Sequence, residues 1–379
     1  MKNGFMNRER VGKQLGTALL LAVLSLFCCF TSAAGQKIID MPPPPQLPTP
    51  RPTPTPAPPK DEDFEVIRVS SNLVMVPVSV VDAKGEAVRG LQVNDFRLEE
   101  EGREQQIAEI GNPDEVPLDI AILFDVSSSV SQKGFFAFQQ SAAASFLKQV
   151  LKPADRAAVF TIADEPKVVS PLASADVAAA KLLSIPAATS PVPTAFYDTV
   201  IAAAKYLVEK SAARHRRVIL VISDGDDNFS IVVKDLTVAE YRASQKGEVT
   251  SAAAYENLLA RRRRAVLEVQ RSVQQADAAF YSINPGGTSI HLNEISTRAQ
   301  NAMESIAQST GGTAYVPEAE KDLARVFNEI AAELRGQYLV QYYSNSQASG
   351  VQFRRIAVKL SANPELRVRA RQGYYPKAK

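Results

Sequence analysis

The chain is poor in the side chains that carry most nucleophilic and soft-metal chemistry. It has two cysteines and two histidines in 379 residues. Both cysteines, Cys28 and Cys29, fall near the amino terminus. If that segment is removed, no disulfide, thiol nucleophile or zinc–thiolate site can form. The histidines, His215 and His291, lie in different segments with no carboxylate at suggestive spacing. A serine hydrolase therefore finds no general base. No glycine-rich loop of the phosphate-cradling kind occurs. Charge of either sign is also lacking in excess, since 43 Lys and Arg face 41 Asp and Glu for a net of +2. Nothing in that balance suggests a nucleic-acid partner. Together these absences argue against an enzyme.

What is present begins with an export-like segment. Lys2, Arg8, Arg10 and Lys13 face only Glu9, and the apolar run LGTALLLAVLSLFCCF follows at 15–30. Ser32 and Ala34 then stand at the −3 and −1 positions of a cut after Ala34, so residues 1–34 read as a signal peptide. The protein is expected in the periplasm, in the cell envelope or secreted. A retained anchor is the alternative, but the run is short against the roughly 20 residues of a bilayer span. Membrane association would come only through that segment left uncleaved. Lipidation is disfavoured by bulky Phe27 before Cys28. Residues 35–62 form a linker whose core, PPPPQLPTPRPTPTPAPP, favours an extended semi-rigid spacer over a docking peptide.

Beyond the linker, 45% hydrophobic and 22% charged residues are ordinary for a globular core. Residues 63–113 alternate and are rich in β-branched side chains, with two short strands turning at Glu101-Gly102. From 114 to 336 apolar strand runs alternate with helix-length segments, including a long helical stretch over 235–276. That pattern predicts an α/β domain with a mostly parallel central sheet and helices on both faces. Residues 337–379 return to strands. Neither end offers enough strands alone, so the two flanks are expected to pack together as one β-sandwich.

The chemistry gathers at strand ends. ILFDVSSSVSQK places Asp125 where a buried strand stops, with Ser127 and Ser129 in the following loop. VILVISDGDDN places Asp224 at a second such end, and SPVPTAFYDTV puts Thr194 at a helix start. Ligands collect at the carboxyl ends of strands in open α/β sheets. Two carboxylates and three hydroxyls, without His or Cys, suit a hard divalent cation such as Mg²⁺. Alone, D-x-S-x-S is weak, because Asp and Ser are common turn and cap residues. In order with Thr194 and Asp224 it becomes specific.

Those residues resemble the von Willebrand factor type A domain, a Rossmann-like fold, and its metal-ion-dependent adhesion site. The resemblance carries the metal role to Asp125, Ser127, Ser129, Thr194 and Asp224. It implies Mg²⁺, with Mn²⁺ or Ca²⁺ open, and a protein partner that offers an acidic side chain to the ion. The flanks VMVPVSVVDAKGEAVRGLQVNDFRLEEEGREQQI and LARVFNEIAAELRGQYLVQYY are similar to the acidobacterial von Willebrand A-related proteins. The chain departs from the family pattern in three ways. Pro191-Val192-Pro193 precedes Thr194 where glycine is usual, the stretch 226–276 is long, and Ser131, Gln132 and Lys133 leave no acidic second metal site.

Three further features read plainly. Asp226 and Asp227 are expected to be solvated loop carboxylates. RRRR at 261–264 is expected to be a solvated helix face, and RHRR at 214–217 to cap the preceding helix. The function expected is an exported metal-dependent adhesion or scaffold module. The alternatives are a structural envelope protein with a vestigial metal site and, more remotely, a metal-dependent hydrolase.

Overall fold

The computed structural model describes residues 73–127, 136–236, 238–247, 250–287, 293–345 and 352–376. The export segment, the linker, Ser129, the Ser131–Lys133 stretch and His291 lie outside the described residues. In chain order, the first strands are β1 Leu73–Val81, β2 Phe96–Glu100, β3 Arg103–Gln105 and β4 Ile107–Gly111. The α/β region follows with β5 Leu118–Asp125, α1 Phe136–Val150, β6 Arg156–Ile162, β7 Lys167–Ala173, α2 Ala175–Leu183, α3 Phe196–Lys210 and β8 Arg216–Ile222. Next come α4 Ile231–Lys234, α5 Val238–Gln245, α6 Ser251–Gln275, β9 Ala278–Ile283, α7 Glu294–Thr310, β10 Ala314–Tyr315 and α8 Leu323–Gly336. The chain closes with β11 Tyr338–Tyr343, β12 Arg354–Leu360, β13 Arg367–Ala370 and β14 Gly373–Tyr374. Among the described residues no helix is long and apolar enough to cross a membrane.

The central sheet has the order β10-β9-β8-β5-β6-β7. All its pairings are parallel except the edge pair β6–β7. All eight residues of β5 are buried, which is why LDIAILFD is an almost unbroken apolar run rather than an alternating one. Alternation survives in where the side chains go. Ile120, Ile122 and Phe124 pack with α1, α2 and α8 on one face. Ala121 and Leu123 pack with α3, α6 and α7 on the other.

The flanking strands form two antiparallel sheets, β13-β1-β11-β4 and β14-β12-β2-β3. β1 lies between β11 and β13, so residues at the start of the described chain pair with residues near its end. Val74, Val76, Val78 and Val80 of β1 share one core with Phe96 and Leu98 of β2, Val340 and Tyr342 of β11, and Ile356 of β12. Every second residue of β1 points inward, the period expected of a half-buried strand. The β2–β3 hairpin turns at Glu101 and Gly102, both with positive φ, at 49° and 74°. Two such residues in succession are what a tight hairpin needs. The buried carboxylate of Glu100 joins the layers: the Tyr342 hydroxyl donates to it at 2.7 Å and the Ser344 hydroxyl at 2.8 Å.

One expectation is adjusted. The long helical stretch over 235–276 is broken into α5 and α6, with Gly247 at φ 66° ending the turn after α5. The edge strand β10 is only two residues long. Replacing Leu98, fully buried between the sandwich sheets, by Ala should cost about 2–5 kcal/mol. A urea unfolding midpoint unchanged by that substitution would show that this core does not contribute to the stability being measured.

Candidate metal centre

β5 and β8 are parallel neighbours, with Phe124 opposite Ile222. Asp125, the last residue of β5, is therefore beside the exit of β8, where Ser223 and Asp224 follow. Asp125 is fully buried. Its Oδ1 accepts from the Ser127 backbone N–H at 2.7 Å, and its Oδ2 from the Ser223 hydroxyl at 2.5 Å. The first bond curls the chain so that the Ser127 side chain stays at the strand end, and that residue is 2% exposed. On the other side Asp125 pairs with Ile162 of β6, and the Ala195 N–H donates to the Ala163 carbonyl at 2.7 Å. That bond fixes Thr194 next to the carboxyl end of β6.

The loop after Asp224 reaches toward Thr194. Asn228 Oδ1 accepts from the Thr194 N–H at 2.9 Å, and the Asn228 and Phe229 N–H groups donate to the Thr194 carbonyl at 3.1 and 3.0 Å. The loops leaving β8 and entering α3 are thus tied together around the exit of β5. These backbone bonds hold Thr194 despite the proline-rich approach through Pro191 and Pro193. Thr194 is 4% exposed, and among the described residues its hydroxyl has no hydrogen-bond partner. Gly225 makes the turn possible. Its φ is 74°, and a Cβ there would meet the Met303 side chain at 2.8 Å.

The electrostatics are unbalanced. Burial first, and the charge of Asp224 second, push the Asp125 carboxyl up to about 7, against the opposing bonds from Ser127 and Ser223. Among the described residues neither Asp125 nor Asp224 makes an ion pair. A buried carboxylate beside a second one, with no cationic side chain, is costly. Adding a divalent cation would reverse the sign of that cost, and oxygen donors of this kind fit a hard ion. Among the described residues no group of three or more His, Cys, Asp or Glu could hold a metal. A cation here would have to use hydroxyls as well as carboxylates.

Several residues differ from their sequence reading. Asp227 is not solvated. It is fully buried, accepting from the Tyr197 N–H at 2.9 Å and from the Ser230 N–H and hydroxyl at 3.0 and 2.5 Å. It braces the start of α3 against the loop, the favourable place for a carboxylate. Asp226 is half-buried, 3.8 Å from Arg262. The run at 261–264 is only half a solvated face. Arg261 donates to the Val233 carbonyl and to Glu240, and Arg262 donates to the Asp227 carbonyl at 2.8 Å. α6 thereby holds the acidic loop, a role invisible when the arginines are counted as a charge run. His215 does have a carboxylate partner, Asp119 at 3.0 Å. Asp119 is six residues before Asp125 on β5, roughly 20 Å away, so the pair has no part in this rim. Arg217 donates weakly to the Ser211 and Ala212 carbonyls beyond α3, the capping expected of the basic run.

The sequence profile of the von Willebrand factor type A domain matches residues 119–323, more than half of the chain. No curated protein matches the chain significantly. Similar solved structures include a von Willebrand factor type A protein from Catenulispora acidiphila, at 13% identity over 82% of this chain and 64% of that one, with TM-score 0.42. A second is the von Willebrand domain of the type V pili tip protein Mfa5 from Porphyromonas gingivalis, at 14% identity over 57% and 94%, with TM-score 0.40. A third is proximal thread matrix protein 1 from the mussel byssus with a zinc-occupied MIDAS motif, at 13% identity over 61% and 48%, with TM-score 0.38.

Asp125→Asn removes the buried charge and keeps the shape. At pH 8 without divalent ions it should stabilise the fold by about 1–2 kcal/mol. Mg²⁺ should raise the melting temperature of the unaltered chain and leave that of the variant unchanged. Destabilisation of the metal-free variant would mean that the Asp125 charge is compensated in the fold.

Proposed function

This chain belongs to the von Willebrand factor type A domain family, and from that premise we propose that it is an exported binding module. It grips an acidic side chain of a protein partner through a divalent cation, Mg²⁺ by preference. The cation is held by Asp125, Ser127, Ser129, Thr194 and Asp224. Export is supported by the basic and apolar segments of residues 1–34.

The observation that carries this reading is the position of Asp125. Its carboxylate is fully buried where β5 ends, with Asp224 alongside and Thr194 tied to the same loops. Two carboxylates already balance the charge of a divalent cation, so it can attract a partner's carboxylate only if the remaining ligands add no further negative charge. Hydroxyl donors meet that need, because they complete the coordination without cancelling the pull on a partner's carboxylate. An enzyme reading gains no such support, since His215 is at the opposite end of β5 and bonded to Asp119.

A second feature favours a protein partner over a small ligand. The segment after the acidic loop exposes Phe229, Ile231, Leu236, Val238 and Tyr241. Apolar side chains gathered beside a polar site mark an interaction surface. The partner is thus a protein whose acidic side chain is flanked by apolar ones. Metal supplies the direction of the contact, and the apolar neighbours supply area.

The test is capture of partners from envelope extract by the full chain, with Mg²⁺ and with EDTA. Binding should be lost with EDTA and in Asp125→Ala. Ile231→Asp should weaken partner binding about tenfold or more while Mg²⁺ affinity, read by calorimetry, stays unchanged. Partner binding indifferent to EDTA and to Asp125→Ala would point instead to a structural protein with a vestigial site.

A further inference from the structure

At the amino-terminal end of β8, opposite the acidic rim, a cavity of about 30 Å³ lies between the central sheet and the flanking strands. A single water needs roughly 10–15 Å³ of such space. The cavity is lined by Arg216, Arg217, Asp277, Thr310, Gln337 and Arg371 among others. Three arginines and one carboxylate around a small cavity are an unusual balance, because buried charge is expensive unless paired.

The partners of each arginine sharpen the imbalance. Arg217 is 8% exposed and donates to the carbonyls of Ala276, Ser211 and Ala212. Arg216 donates to the carbonyls of Leu334, Pro113 and Val116 and to the Gln337 side chain. These are neutral acceptors, which satisfy donors without cancelling charge. Arg371 pairs with Asp277 and donates to the Met75 carbonyl at 2.7 Å. Among the described residues the buried Nε atoms of Arg217 and Arg371 have no hydrogen-bond partner. The other carboxylates near these arginines are already engaged. Asp119 is held by Arg156 at 2.8 Å and His215 at 3.0 Å. Asp155 accepts from the Leu118 and Lys152 N–H groups, and Asp114 pairs with Lys152.

We propose that this cavity binds a small inorganic anion of the halide class, accepting from the Nε–H groups of Arg217 and Arg371 in the positive field of Arg216. A halide suits the volume, takes donors from any direction and supplies the missing negative charge. Water would satisfy the two donors and leave the charge uncompensated. The anion joins the end of β8 to the segment carrying Arg371, and so fastens the flanking strands to the α/β region. This inference is independent of the metal reading.

The test is thermal unfolding of the full chain in sodium bromide against sodium gluconate at equal ionic strength, with crystals soaked in bromide for anomalous scattering. Bromide should raise the melting temperature saturably. An anomalous peak should lie within hydrogen-bonding distance of the Arg217 and Arg371 Nε atoms. Asp277→Asn removes the competing carboxylate at a position with φ 54°, which Asn tolerates. It should lower the half-saturating bromide concentration about fivefold or more. Equal melting in both salts with no peak would overturn the proposal in favour of water alone. An unchanged or higher half-saturation in Asp277→Asn would overturn its electrostatic basis. The wild-type titration decides the matter without any variant.

Discussion

The parallel pairing of β5 with β8, in register from Leu118 opposite Arg216 to Phe124 opposite Ile222, sets the spacing of the charged groups at both ends of the central sheet. Both strands are buried along most of their length. Neither can slide without moving apolar side chains between two differently packed faces. At the carboxyl end this fixed register brings Asp125 beside Asp224. At the amino end it presents Arg216 and Arg217 to the seam with the flanking strands. Among the described residues neither Asp125 nor Asp224 at one end, and neither Arg216 nor Arg217 at the other, makes an ion pair. Buried charge without an opposite charge beside it is costly at either end.

The acidic end is electrostatically unfavourable as it stands. Burial and mutual repulsion keep the Asp125 carboxyl far from its ordinary state. The surrounding bonds from Ser127, Ser223 and Asn228 nevertheless hold the loops in place. Rigid support around an electrostatically unfavourable group is the signature of a prepared site. α6 contributes to that support from far along the chain, since Arg262 holds the Asp227 carbonyl and Asp227 in turn holds the start of α3.

Much of the fold was legible because period and composition are local properties. IAILF of β5 and VILVI of β8 are continuous apolar runs, and FAFQQSAAASFLKQV carries helical spacing, so the alternation of strands and helices could be read directly. The pairing of the flanking strands was legible by counting, because neither end had enough strands for a stable sheet. Helix breaks were less legible. Gly247, at φ 66°, stands between α5 and α6. β10 is short because only Ala314 and Tyr315 reach the edge of β9.

Sequence by itself determined which oxygen-bearing side chains stand at strand ends, and hence that Asp125, Thr194 and Asp224 belong to carboxyl-end loops. That follows from chain order and the rule that strands enter such a sheet in one direction. Only the tertiary structure decided how charge is compensated. Asp227 and Arg262 look like solvent-facing residues in the sequence, and His215 looks solitary. Their partners are Tyr197, Ser230, the Asp227 carbonyl and Asp119, contributed by other elements of the fold. Whether a charged side chain is solvated, paired or left in need of an ion depends on what packs over it, and no local pattern encodes that.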